Sequence, residues 1–252
     1  MTVLAVLNSE RIKLTSIRSP LWTALLAAVL SVGVAALQGA AAYGAVLLTP
    51  EQVSIGVAVF GVPILIILSA MVVTGEYRTG MISTTFAATP NRTLVLAVKA
   101  FVAAALSAVY AAILVMVAVV AARLTSDPLQ TARLSLADVT VWRAAGAVAL
   151  YALVAAVLGV AVGALLRHTA GAVALLLLWP LVVEPVVGNL PNFGTKVGPF
   201  LPFVNAFVYT DVPWLFPTYV MPWGEYGSLA YFALIAAGSF AAAVYVVNRR
   251  DA

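Results

Sequence analysis

The stretch MVVTGEYRTGMISTTFAATPNRTLVLAVKA, Met71 to Ala100, decides how the rest of the chain is read. An apolar run ends at Thr74, and Glu76, Tyr77, Arg78, Thr79 and Gly80 follow at once. Pro90, Asn91 and Arg92 then lead into a second apolar run that starts at Leu94. A short polar segment between two hydrophobic runs is expected where a chain leaves a bilayer and re-enters it on the same side.

Composition supports that reading. The chain has 252 residues, 64% of them hydrophobic and only 9% charged, with a mean hydropathy of +1.10. Soluble domains carry roughly 25% charged residues, so the sequence describes an integral membrane protein. The net charge is +4, but no Lys/Arg cluster builds a phosphate-binding face, which argues against nucleic acid as a partner. Cysteine is absent, so disulfides and thiol chemistry are excluded.

A hydrocarbon core of ~30 Å needs about 20 apolar helical residues. The qualifying stretches are Leu21–Tyr43, Val53–Thr74, Leu94–Ala122, Trp142–Leu166, Ala170–Val187 and Leu229–Val247. The expected fold is an all-α integral membrane protein, with six transmembrane helices in residues 20–252. Runs this continuous exclude a β-barrel, whose strands alternate polar and apolar. Pro63 and Pro180 fall inside the second and fifth spans, where they should kink the helix rather than end it.

Residues 1–19 do not read as a cleavable signal peptide, because their basic residues follow a polar stretch and precede a full-length span. Val3, Leu7, Leu14, Ile17 and Leu21 recur at helical spacing, interrupted by Glu10, while Asn8, Arg11, Thr15 and Arg18 take the other side. An amphipathic helix in the headgroup layer is expected there. With the N-terminus placed in the cytoplasm, Arg11, Lys13, Arg18, Arg78, Arg92, Lys99, Arg167, Arg249 and Arg250 fall inside. Arg123, Arg133, Arg143 and Lys196 fall outside. Lys and Arg resist translocation, so both termini and the polar elbow at residues 75–92 are assigned to the cytoplasm.

Between Gly188 and Gly227 the chain turns proline- and aromatic-rich, too hydrophobic for a solvated loop and too broken for a simple span. It reads as a re-entrant or interfacial extracellular segment before the last helix. Trp214, Tyr219, Trp223 and Tyr226 suit the headgroup level. Gly159 and Gly163 in the fourth span form a small-xxx-small pair that permits close helix approach.

Catalytic patterns are missing. There is one histidine, His168, and no HExxH, GxSxG, CxxC or GxxxxGK[ST] occurs. The chain is therefore expected to be no enzyme, with no catalytic residue, metal ligand set or nucleotide site. Glu184 stands out as an ionisable residue within the fifth span, roughly 20 Å from its cytoplasmic end. It could pair with an outer basic residue, form an outward gate with Pro185, or satisfy backbone amides freed by that proline. In the elbow, MISTTFAA suits a short surface helix with Met81, Ile82 and Phe86 facing inward. Glu76, Arg78, Thr79 and Arg92 would present charge outward, and Pro90 with Asn91 would end the helix.

These segments resemble the permease subunits of ABC-2-type ATP-binding-cassette transporters, in particular short actinobacterial ones. SERIKLTSIRSPLW looks like their connecting helix, and GEYRTGMISTTFAATPNRTLVLAVKA like the loop whose coupling helix contacts the ATPase. LRHTAGAVALLLLWPLVVEP and GPFLPFVNAF look like their fifth span and the outer re-entrant segment. The E-Y-R-x-G segment with the following P-x-R and Lys is the most specific part, and the likeness covers essentially the whole chain.

The resemblance implies a bacterial plasma-membrane exporter of a drug, antibiotic, peptide or lipid. Two copies of a separate ABC ATPase would bind ATP and Mg, alongside a second permease, identical or homologous, with lipids around the pair. Coupling would fall to Glu76, Tyr77, Arg78, Thr79, Gly80, Met81, Phe86, Pro90 and Arg92, and the connecting helix would use Glu10, Arg11, Lys13 and Arg18. Alternatives from other classes are a non-transporting assembly or regulatory membrane protein, a secondary transporter and a membrane enzyme.

Overall fold

The computed structural model describes residues 19–42 and 47–249, and the amphipathic helix expected over residues 1–19 falls almost wholly outside them. Nine helices carry the described fold: α1 Ser19–Ala41, α2 Pro50–Thr79, α3 Met81–Ala88, α4 Arg92–Thr125 and α5 Val139–Leu166. They continue as α6 Thr169–Gly188, α7 Gly194–Val197, α8 Pro202–Thr210 and α9 Gly224–Arg249. The helices α1, α2, α4, α5, α6 and α9 are long and apolar enough to cross a membrane, and they cover the six expected spans. Each long helix satisfies its backbone internally, which is what hydrocarbon demands.

Their ends carry local signals. Thr49 and Gln52 form a capping box at the start of α2, Asn91 Oδ1 accepts from the Leu94 N–H, and Asp138 Oδ1 accepts from the Thr140 N–H. Arg167, in the left-handed region at φ 54°, turns the chain from α5 into α6, where His168 Nδ1 accepts from the Gly171 N–H. Both prolines are accommodated as expected, without ending their helices. The backbone widens into a π turn at Val57–Gly61, just before Pro63, and at Trp179–Val183, around Pro180.

The centre of the bundle is α5, which packs against α4, α2 and α9. Its Ala-rich face lets neighbours come close. A side chain on Gly159 would run into the Ile66 carbonyl, and one on Gly163 into the Ala70 backbone, so this glycine pair seats α5 directly on α2. The other long helices leave apolar faces uncovered, with Leu21, Leu37, Phe101, Leu124 and Leu234 among the exposed side chains. Such faces suit contact with lipid.

Two ends result. At one, Arg92 reaches the end of α9 and Arg167 lies over Tyr77. At the other, Arg143 pairs with Glu225 at 2.7 Å and the Leu48 N–H donates to the Gln130 carbonyl. Residues 189–223 cap this second end. There α8 packs on α9 and α5, with Phe203 5.3 Å from Phe232 of α9 and Phe207 6.0 Å from Tyr151 of α5, ring centre to ring centre.

Three of the four aromatics expected at the headgroup level make specific contacts within the cap. Trp214 stacks on Phe207, Trp223 stacks on Tyr231 and donates to Asn205 Oδ1, and the Tyr219 hydroxyl donates to the Gly188 carbonyl. Only Tyr226 of the four is strongly exposed, at 75%. The other three lock the cap together because their polar atoms find partners, or their rings find neighbours, inside it.

Candidate functional site

The elbow between α2 and α4 begins as helix. Gly75, Glu76, Tyr77, Arg78 and Thr79 form the last turns of α2, five residues beyond the apolar run. Gly80, at φ +71°, then reverses the chain directly into α3. That conformation favours glycine, because a side chain there strains against its own backbone. Ser83 Oγ donates to the Gly80 carbonyl at 2.8 Å, and Thr89 with Pro90 ends α3 before Asn91 opens α4.

The helical continuation turns Glu76 inward, which overturns the expectation that it offers charge outward. Its side chain is 7% exposed, and Lys99, only 1% exposed, donates to Glu76 Oε1 at 2.6 Å. Thr85 Oγ1 of α3 lies 3.5 Å from Glu76 Oε2, and Lys99 Nζ lies 3.5 Å from the Val72 carbonyl. One ion pair thus touches α2, α3 and α4. Both charges are out of water, and removing one partner of such a buried pair typically costs about 3–5 kcal/mol.

The neighbours extend the joint. The Arg167 guanidinium sits 4.9 Å from the Tyr77 ring centre, bringing the α5–α6 turn onto α2. Arg92 lies 5.1 Å from the Phe86 ring centre and donates to the Val247 carbonyl at 2.9 Å, while Asn248 donates to Thr93 Oγ1. Arg92 is therefore half-buried against α9, another departure from the outward-facing expectation. A shallow apolar pocket between these elements is lined by Val73, Tyr77, Ile82, Phe86, Val95, Leu96, Lys99 and Val247.

Of the three apolar residues expected to face inward, Ile82 is buried and Phe86 half-buried, but Met81 is 47% exposed. Helix α3 has barely two turns, and docking Ile82 and Phe86 rotates Met81 away. The open surface of the elbow is Arg78, Thr79, Gly80, Met81, Ser83, Thr84, Ala87, Ala88, Pro90 and Asn91. Glu10, Arg11, Lys13 and Arg18 lie outside the described residues.

At the opposite end, Glu184 is fully buried in α6. Its carboxylate accepts from the Phe203 N–H at 3.1 Å, the Val204 N–H at 2.9 Å and Trp179 Nε1 at 2.8 Å. It caps the N-terminus of α8 from another helix. Of the expected roles, satisfying backbone amides is the observed one, although the amides belong to α8 rather than to the turn beside Pro185. No basic side chain pairs with it among the described residues, and Pro185 is buried beside it.

Lys99 is the residue that sequence reasoning passed over as a site. Its signal was present: a lone ammonium inside LVLAVKAFVAAAL, where charge is costly unless paired. Among the described residues, no three of His, Cys, Asp and Glu gather as metal ligands would.

The geometry as a whole is a rigid polar joint at one end of a helical bundle and a carboxylate-capped aromatic lid at the other. The class that the fold defines is the multi-pass α-helical membrane protein. Compared with family models and with curated proteins, the chain matches none.

Proposed function

We propose that this chain is the membrane-spanning permease subunit of an ABC-2-type ATP-driven transporter, exporting a hydrophobic or amphipathic compound across a bacterial plasma membrane. The observation that carries the reading is the elbow: a short helix held between two spans by a buried ion pair, at the end where Arg78, Arg92, Lys99, Arg167 and Arg249 gather. A surface joined so firmly to its spans can pass a push on α3 into the bundle. A separate ATPase, in two copies carrying ATP and Mg, supplies that push, and a second permease completes the pathway.

In this reading, Arg78 and the exposed face of α3 around Met81 and Thr84 meet the ATPase. Glu76, Tyr77 and Arg92 hold that face in place from beneath. The π turns of α2 and α6 are the points at which these helices change shape as access switches from inside to outside. The termini and the elbow are cytoplasmic, and residues 189–223 form the outer cap.

The test combines co-purification with transport. The chain should capture an ABC ATPase and raise its turnover, and the double variant Arg78→Glu/Met81→Asp should lower ATP-driven export at least tenfold while inserting normally. Unchanged export in that variant would end the coupling assignment. Because the protein has no cysteine, a single cysteine placed at Thr84 reports sidedness directly, and labelling from the external medium would refute the orientation.

A further inference from the structure

Resting on that transporter reading, we infer that Glu76 and Lys99 are positioning residues, a charged strut that sets where α3 stands relative to α2 and α4. The pair ties α2 to α4 through Lys99 Nζ and Glu76 Oε1 at 2.6 Å, and α3 reaches it through Thr85, whose Oγ1 lies 3.5 Å from Glu76 Oε2. A bundle needing only stability at this point gains little from burying two charges, because apolar residues of similar volume serve as well or better. A buried ion pair does what apolar packing does not. It is directional, and it confines its partners to one geometry at the charge-assisted hydrogen-bond distance.

The remaining contacts of α3 do not replace it. Ile82 is buried and Phe86 half-buried, but Met81, Ser83, Thr84, Ala87 and Ala88 face out. Those apolar contacts and the Arg92–Phe86 contact lie on one face of an eight-residue helix, which has little stability of its own. The strut sets the angle at which the exposed face is presented.

The test separates positioning from mere stability with the variant Glu76→Leu/Lys99→Met, which satisfies burial without charge. It should keep the thermal midpoint of the purified chain, yet amide exchange across residues 81–88 should rise about tenfold and ATP-driven export should fall about tenfold. The exchanged pair Glu76→Lys/Lys99→Glu should bring both readouts back to within about threefold of the parent. Parental exchange rates in the apolar pair, or no recovery in the exchanged pair, would overturn the inference. The exchange measurement requires no ATPase, so it decides the strut even if the parent chain drives no ATP-dependent export, a result that would sink the transporter reading instead.

Discussion

Among the described residues, the two ends of the bundle each bury one carboxylate, and they treat it differently. At the elbow, Glu76 faces an ammonium, Lys99, on a neighbouring helix. At the cap, Glu184 faces neutral donors, the Phe203 and Val204 amides and the Trp179 indole. The first joins side chain to side chain through opposite charges. The second joins a side chain to the backbone of α8, whose orphan amides cannot change sign. A joint of the first kind can be inverted or replaced by apolar groups. One of the second kind cannot, because the helix N-terminus always requires an acceptor.

The largest expected effect breaks the elbow half of this comparison. Lys99→Met removes the short contact to buried Glu76 and should cost about 3–5 kcal/mol, read as a fall in the thermal midpoint of the detergent-purified protein. A change within ~0.5 kcal/mol would mean that Glu76 is not dependent on this partner. Glu184→Gln comes next. An amide oxygen still accepts, so the loss should be about 1–3 kcal/mol, and amide exchange should rise at residues 203 and 204 while α3 is untouched. Equal effects of the two substitutions on both regions would erase the distinction.

The smallest effect concerns carboxylates at the cap end that stand in or near water. The Thr140 N–H holds the Asp138 carboxyl below its ordinary 3.8. Its contribution is therefore present above that value and is lost as the pH falls through the folded-state value. Burial raises Asp211, and nearby Glu51 and Glu225 add to it. Ionising it then opposes folding, so the native state loses stability as the pH rises from 3.8 through the raised value. Asp211→Asn should accordingly raise the midpoint slightly at neutral pH and leave it unchanged in acid, whereas Asp138→Ala should lower it at neutral pH and converge with the parent in acid. A pH-independent difference for either variant would contradict the assigned cause.

Much of this was legible from the sequence, for identifiable reasons. The six spans follow from length and hydrophobicity, and both Pro63 and Pro180 sit in helices that continue past them. Gly159 and Gly163 announced close approach, and α5 does lie on α2 at those positions. The direction of Glu76 was not legible, because it depends on whether α2 stops at Thr74 or runs on to Thr79. Five more helical residues rotate that side chain toward α4. Likewise, burial of Glu184 could be read from its apolar neighbours, whereas its backbone partners lie 19 and 20 positions away, beyond a turn and a short helix.

Sequence alone thus determined that the chain is a helical membrane protein and where its spans fall. Transfer free energy and helix periodicity are properties of local stretches and do not depend on the partner. Only the tertiary structure decided which charges face each other, which aromatics of the cap turn inward and which face of α3 stays open. Those outcomes depend on distances between segments remote in sequence, and a buried charge is tolerated only where such a segment supplies its counterpart.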